Sequence, residues 1–540
     1  MSFQPWDLHW LHRRTPQRLH AVRCAARRKG DRPNGSFFDP NGSLFLENRS
    51  VRASCATVWY VTTNRLPVDA LAPPVHPEGE GKNTSWVSMR VSLLLSCLLV
   101  MLAGRDLAGA VWPRVGALVV AAVVMGFALI RPTIVGDHDR ELRAARALVS
   151  LLVLAGLYLT GGALARTVSN TATPLWFAVV LGYLIIGFAG VLPWARRMPH
   201  LRWTLIFFLV AHTVLTVALL RSSPVLIDVE VYLHDGVIRL FNGQNPYTMT
   251  IPNIYKSPYT EMFYGPHLVV DGRVPVGFPY LPVALLVAIP GYLLGDVRYS
   301  QLIAMLVTFL VLRRLASDRV GRAAAVLALA SPAAIPVLTH AWVEPSLVAL
   351  LACLILAVER HRNALVAVFL GLFLASKQYV VLAIPTIWLL QRSVSRRVIL
   401  IGFGVSAAVI MPFFLVNPAA FLKTTLAAQH PPFRADSISL LVWSVNNFSW
   451  PPPWTFGLLP LLGGSLTAIV LAIRAPRTPS AFAGSFGLTL LVTILLSQTA
   501  FMNYYFLVSG AFLIGAVACP TPPEPAVLES TIADPIIRLS

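Results

Sequence analysis

Three properties of this sequence predict an all-α, polytopic membrane protein. Of its 540 residues, 56% are hydrophobic and only 12% charged, whereas a soluble globule carries about a quarter charged residues. The apolar residues come in continuous runs too long for barrel strands, and backbone groups in lipid must be satisfied within their own segment, which leaves helices. Arginine, which nearly replaces lysine after residue 90, gathers in short clusters between these runs, where it sets topology. The net charge of +19 invites a nucleic-acid reading, but no basic stripe interleaved with aromatics lies on a soluble segment, so no nucleic-acid partner is expected. The cysteines Cys24, Cys55, Cys97, Cys353 and Cys519 are too scattered for a disulfide framework or a Cys-x-x-Cys metal signature.

Residues 1–88 mix arginine, proline, glycine and scattered aromatics with no period, and are expected to be a disordered extension. No apolar run follows the basic residues Arg13 to Lys29, so this is not a signal peptide. Met89, followed by Arg90 and then VSLLLSCLLVML, reads as a natural start. On that expectation the first 88 residues come from an upstream start codon, and the sequons at Asn34, Asn41, Asn48 and Asn83 carry no meaning. Apolar segments then fall near 91–107, 115–131, 147–165, 174–194 and 202–220, an N-terminal five-helix membrane region within 89–220. The core, 279–519, continues with 279–295, 299–312, 323–341, 344–359, 364–376, 378–391, 397–416, 456–473, 482–498 and 501–519.

Orientation follows from the arginines. The clusters Arg140/Arg143/Arg146, Arg196/Arg197/Arg202, Arg313/Arg314/Arg319/Arg322, Arg360/Arg362, Arg392/Arg396/Arg397 and Arg474/Arg477 belong on the cytoplasmic side. Alternation puts the long loops 221–278 and 417–455 outside, and both termini inside, with 520–540 a cytoplasmic tail. Two apolar segments, 279–295 and 299–312, lie where parity allows one crossing. The first contains Pro282, Pro290, Gly291 and Gly295, which interrupt helices. It is therefore expected to be re-entrant or juxtamembrane, leaving about 14 spans. The two outer loops are rich in Trp, Tyr, Phe and Pro, which argues for folded caps.

This arrangement gathers the polar residues on one face: Asp228 to Arg273, His340 to Glu344, Ser376 to Gln378, Asn417 to Trp454 and Gln498 to Asn503. Carboxylates between spans mark a functional site by default. Asp228, Tyr232, Gly236, Gly243, Pro246 and Tyr247, then Phe278-Pro-Tyr280 with Pro282, resemble the first outer loop of the GT-C superfamily of integral-membrane glycosyltransferases. Within it the sequence is most similar to glycosyltransferase family 87, the polyprenyl-phosphate-sugar-dependent mannosyl- and arabinosyltransferase-like proteins. His340-Ala-Trp-Val-Glu344-Pro, Ser376-Lys-Gln378, Pro432-Phe-Arg434-Ala-Asp436-Ser and Asn503-Tyr-Tyr505 carry the likeness onward. It spans roughly 200–520. Family members place the catalytic loop after the first span, whereas about five precede it here, so the extra helices read as an appended module.

The resemblance implies a GT-C fold and a plasma-membrane enzyme acting on the outer face. It would transfer a sugar, mannose before arabinose, from a polyprenyl-phosphate donor to an envelope glycolipid or lipoglycan, with inversion at the anomeric carbon. The preference for arginine and the abundance of Ala, Leu and Val fit a high-GC bacterial genome. Such a transfer needs a base for the acceptor proton and cations for the departing phosphate. Asp228, the first acid after the span, matches the family's catalytic acid, with Glu230 two residues on. In an extended stretch the two carboxylates would share a face; in a helix they would point apart. The Asp-x-Glu pair also resembles the metal-binding motif of other GT-C enzymes, so a divalent metal stays open, although the family 87 likeness implies no cofactor. Lys377 and Arg434 are the first phosphate candidates, with Arg239, Lys256 and Arg273 behind them; snorkelling for Lys377 and an Asp436 pair for Arg434 are the plain alternatives. His340 and Glu344, about one helical turn apart, are expected to face one cavity. Tyr232, Tyr247, Gln378 and Asn503 complete the substrate-binding set, and Trp342, Trp443, Trp450 and Trp454 are candidates for stacking on sugars or anchoring in the interface. The competing class is a transporter or flippase of lipid-linked glycans, which should show inverted repeats and charges in discontinuous helices at mid-membrane.

Overall fold

The structure, a computed structural model, describes residues 85–103, 111–131, 138–167, 201–222, 224, 227–257, 259–331, 333–426, 433–448 and 456–519. Of the expected extension 1–88, residues 1–84 lie outside these residues and 85–88 instead begin the first described helix; the segment 174–194, the tail 520–540, Trp450 and Trp454 also lie outside them.

The described chain is almost wholly helical. Helices α1 (Ser85–Ala103), α2 (Val111–Ile130), α3 (His138–Thr167) and α4 (Leu201–Ser222) fall on the early apolar runs. The loop that follows opens with α5 (Asp228–Phe241) and a 3₁₀ turn at Pro246–Thr248. It then folds into a two-stranded antiparallel ribbon, β1 (Ile251–Pro252) against β2 (Arg273–Val274), with Ile251 opposite Val274. The short helix α6 (Tyr259–Tyr264) lies between the strands. The described part of this loop is thus folded, as its aromatic content suggests.

The segment expected to be re-entrant or juxtamembrane breaks into α7 (Pro282–Leu286) and α8 (Ile289–Leu293), and the chain turns by 103° into α9 (Arg298–Leu315). The bend is tight because Gly291 lies against Ser300: its N–H donates to Ser300 Oγ at 2.7 Å, and a Cβ there would sit 2.6 Å from the Ser300 nitrogen. Arg298 clamps the corner from within, donating to both Asp296 oxygens and to the Leu220 carbonyl at the end of α4.

The run 323–341, expected to be one helix, is divided among α10 (Arg319–Ala324), α11 (Leu327–Ala330) and α12 (Ala334–Thr339). Prolines 332 and 336 each withdraw a backbone donor, which a continuous helix cannot spare. After α13 (Glu344–Glu359) and α14 (Asn363–Leu374), the segment Gln378–Leu390 is a 3₁₀ helix with Pro385 inside it, an unusual length for that geometry. The remaining elements are α15 (Arg396–Val416), α16 (Pro418–Thr425), α17 (Leu440–Phe448), α18 (Leu459–Arg474), α19 (Pro479–Leu495) and α20 (Met502–Ala518).

Burial explains their order. α19 and α20 are buried nearly all round, as helices apolar on every side must be. α2, α4, α15 and α18 lie at the periphery and present Phe127, Phe207, Leu415 and Leu462 outward, a surface compatible with lipid. Among the described residues, α2 and α15 are long and apolar enough to cross a membrane. A third candidate arises if the bent α7–α9 segment is one span, and several apolar helices are shorter.

The first described helix is packed against the end of the chain. α1 packs on α20, where Leu93 lies against Gly515 and Cys97 Sγ meets the Ser509 carbonyl at 3.4 Å. Arg90, near the start of α1, makes a two-pronged ion pair with Asp318 at 2.5 and 2.8 Å. α1 and α2 thus share one core with α19 and α20.

Candidate functional site

Asp228 is the first residue of α5, preceded by Ile227 in an extended conformation. An acidic residue is favourable in a first helical turn, where N–H groups are unsatisfied. The helix also decides the relation of the two acids: they point apart. Asp228 turns toward tyrosines, with the Tyr255 hydroxyl 3.4 Å from its Oδ1 and 3.3 Å from its backbone nitrogen. Tyr232, one turn along α5, is buried beside it, and the Tyr264 hydroxyl lies within its electrostatic reach without completing a hydrogen bond. Among the described residues, no lysine or arginine pairs with Asp228. Burial therefore raises its pKa to about 6, against the opposing pull of bonds from the Val229 N–H and Tyr255.

Glu230 turns to the corner clamp, 3.7 Å from Arg298. Burial lifts it to about 7, with Arg298 acting in the other direction. Of the two arrangements open from the sequence, the helical one is found, with one acid in a tyrosine wall and the other in an ion cluster.

The next wall of the site is Phe278-Pro-Tyr280, a strap pinned from both sides. Tyr247 donates its hydroxyl to the Tyr280 carbonyl at 3.0 Å, while Gln378 Nε2 donates to the Pro279 carbonyl at 2.7 Å and to the Thr425 carbonyl at 3.1 Å. Phe278 N–H donates to the Pro246 carbonyl, and Gly277 passes so close to Tyr247 that any Cβ would strike its carbonyl. Tyr247 itself is enclosed by Phe278, Phe413 and Phe421. Tyr247 and Gln378, anticipated as substrate contacts, are placed here as the pins of this strap. What the strap presents is the Tyr280 side chain, within electrostatic reach of both Asp228 and Glu344.

Behind Tyr280 lies the second charged centre. Glu344, the first residue of α13, is fully buried, and Lys377 is nearly so. Lys377 Nζ meets Glu344 Oε1 at 2.6 Å. Asn503 Nδ2 reaches that same oxygen at 2.8 Å, and the Tyr379 hydroxyl at 3.1 Å. The ammonium also lies 4.6, 5.3 and 5.7 Å from the ring centres of Tyr280, Tyr379 and Tyr504, in cation–π range. Lys377 is therefore neither snorkelling nor free to act alone on a phosphate; its charge is committed to Glu344.

His340 does not share this cavity by helical spacing. α12 ends at Thr339 and Ala341 takes a left-handed φ of 52°, so 340 and 344 stand on different helices. His340 is bound through Nδ1 to the Pro336 carbonyl at 2.7 Å and stacks on Trp342. Arg434 makes its plain partner contact, a two-pronged pair with Asp436 at 2.7 and 2.8 Å, yet its guanidinium also sits between the rings of Phe263 and Phe501, 4.3 and 4.6 Å from their centres. It lies within electrostatic reach of Tyr255, which places it on the Asp228 side. Of the other cation candidates, Arg273 is taken up by Thr250; of the stacking candidates, Trp443 contacts Phe448.

The structure thus brings together Asp228, Tyr232, Glu344, Lys377, Asn503 and, at the rim, Arg434. The unforeseen residues are Tyr255, Tyr264, Tyr379 and Tyr504, with Tyr280 the link. Their sequence signal was tyrosine density around Tyr255 to Tyr264 and beside Lys377 and Asn503. A half-buried carboxylate without a cation partner can accept a proton; a buried carboxylate saturated on one oxygen can hold a polar group on the other. Comparison of the chain with family models, with curated proteins and with solved structures finds no match.

Proposed function

We propose that this chain is a membrane glycosyltransferase that moves a sugar, mannose before arabinose, from a polyprenyl-phosphate donor to a glycolipid or lipoglycan on the outer face of the plasma membrane. The observation that carries this reading is Asp228: a half-buried carboxylate in the first turn of α5, held by Tyr255 and paired with no cation among the described residues, which burial pushes up toward the range a general base needs at neutral pH. The acceptor hydroxyl attacks the anomeric carbon from the face opposite the leaving group. Its oxygen forms the new glycosidic bond, its proton passes to Asp228, and the bond from the anomeric carbon to the phosphate oxygen breaks, releasing polyprenyl phosphate and leaving the sugar inverted at its anomeric carbon. Arg434, on the Asp228 side, is the cation for the departing phosphate. Asp228 and Glu230 diverge, so this reading assigns no shared metal to them.

The accompanying topology has about 14 spans, with the loops 221–278 and 417–455 outside and Arg313 to Arg322 inside. One observation favours the transporter reading: the break and 103° turn between α8 and α9, since discontinuous helices line transport sites. A single assay separates the two. Purified protein given a polyprenyl-phospho-sugar and a glycolipid acceptor should yield a larger glycolipid and free polyprenyl phosphate. Movement of the lipid-linked sugar across a vesicle membrane with no transfer product would establish the transporter instead.

A further inference from the structure

Glu344 is hydrogen-bonded with marked asymmetry. Its Oε1 receives three donors, from Lys377, Asn503 and Tyr379, whereas its Oε2 is buried with no partner. Asn503 repeats the pattern: its Nδ2 is used on Glu344 and its Oδ1 is buried and unpartnered. An unpaired buried acceptor is costly, and two of them at the ends of one carboxylate–amide pair mark a place built to receive donors.

The surroundings limit what those donors are. A cation is disfavoured because Lys377 Nζ stands 2.6 Å from the other oxygen of the same carboxylate. An anion is disfavoured by two bare acceptor oxygens. What remains is an uncharged group with O–H donors. The tyrosines around Lys377 supply the complement, for Tyr280, Tyr379 and Tyr504 are only half-buried, so that the closed polar pair borders a region lined by aromatic faces. Hydroxyl donors on one edge and an apolar C–H face on the other is the chemistry of a sugar ring.

We infer that Glu344 Oε2 and Asn503 Oδ1 read the hydroxyls of the donor's sugar, with the tyrosines against its ring, and that Lys377 serves to position Glu344. This rests on the glycosyl-lipid substrate proposed above. It assigns Asp228 and Glu344 to different parts of one reaction, one accepting the proton and the other recognising the sugar.

The test is equilibrium binding of bare polyprenyl phosphate and of its mannosyl, arabinosyl and glucosyl derivatives to the purified full-length protein in lipid nanodiscs. The wild type should bind at least one glycosylated lipid about 10- to 100-fold more tightly than the bare lipid, the weight of a hydrogen bond to a charged group. Glu344→Gln and Asn503→Leu should each lose most of that preference while keeping affinity for bare polyprenyl phosphate. Asn503→Leu leaves the Lys377 pair intact, so it decides the matter if Glu344→Gln does not fold. The inference is overturned if the wild type shows no preference for any sugar, or if Asn503→Leu keeps it, as expected were these oxygens to hold only water. Preference without any transfer product would keep the subsite and remove the transferase reading; transfer with preference unaltered in the folded variants would do the reverse.

Discussion

Asp228 and Glu344 are both acids at the first position of a helix, yet the protein treats them in opposite ways. Asp228 is half-buried among tyrosines, and burial holds its pKa near 6. Glu344 is fully enclosed and carries a lysine, an amide and a phenol on one oxygen. The contrast teaches that helix position does not assign the role of a carboxylate; its neighbours do. A base must gain and lose a proton at working pH, so it is left without a cation. A group proposed to recognise a sugar needs a fixed direction, and Lys377 fixes that of Glu344.

The sharpest way to break this comparison is Asp228→Asn, which keeps size and loses basicity. Turnover should fall by about 10²- to 10⁴-fold in a folded protein, measured as glycolipid formed per enzyme. Full activity would remove Asp228 as the base. In the wild type the acid limb of activity should lie near pH 6, following loss of the carboxylate. Stability carries the opposite sign. Folding raises the Asp228 pKa from 3.8 to about 6, so the ionised group opposes folding at neutral pH and that penalty is relieved as pH falls from about 6 toward 4. Asp228→Asn should therefore melt higher than wild type at pH 7, and the gap should close near pH 4.

Next in size is Lys377→Ala. Removing one partner of a buried ion pair leaves the other uncompensated and costs about 3–5 kcal/mol, to be read as a lower denaturation midpoint. Restoration of stability by pairing it with Glu344→Leu would support the buried-pair reading; a near-neutral Lys377→Ala would sink it. Arg434→Ala should cost less, about 1.5–3 kcal/mol of transition-state or donor binding, for one charge-assisted contact. It is checked by turnover at limiting donor. Glu230→Gln should be smallest, under about tenfold in rate, because Glu230 faces Arg298 and not Asp228. A loss equal to that of Asp228→Asn would show that the two acids act together after all.

Apolar runs were legible because burial in lipid or in a helical core needs long hydrocarbon segments, and most described helices lie where those runs do. Breaks were less so. The run before His340 is divided into three short helices, and the left-handed Ala341 separates His340 from Glu344, which residue spacing alone does not reveal. Asp228, Glu344, Lys377 and Asn503 stood out because charged and amide groups are rare in this chain. The tyrosine wall did not, since aromatic residues at an interface have an ordinary anchoring explanation. That Lys377 is spent on Glu344 was also hidden: the two are 33 residues apart, and only the packing of α13 against the segment after α14 joins them.

The clasp between the first helix and the last has a consequence for how the chain is made. Cys97 and Ser509 are separated by 412 residues, which a ribosome working at about 5–20 residues per second needs about 20–80 s to add. Through that interval α1 has no α20 to pack on, and until residue 318 emerges Arg90 has no carboxylate. Until then the inner face of α1 lacks the surface it is shaped for, and something else must cover it. A chain released before its final helix would therefore leave its earliest one unsheltered, and quality control should recognise such a chain by its beginning as much as by its missing end.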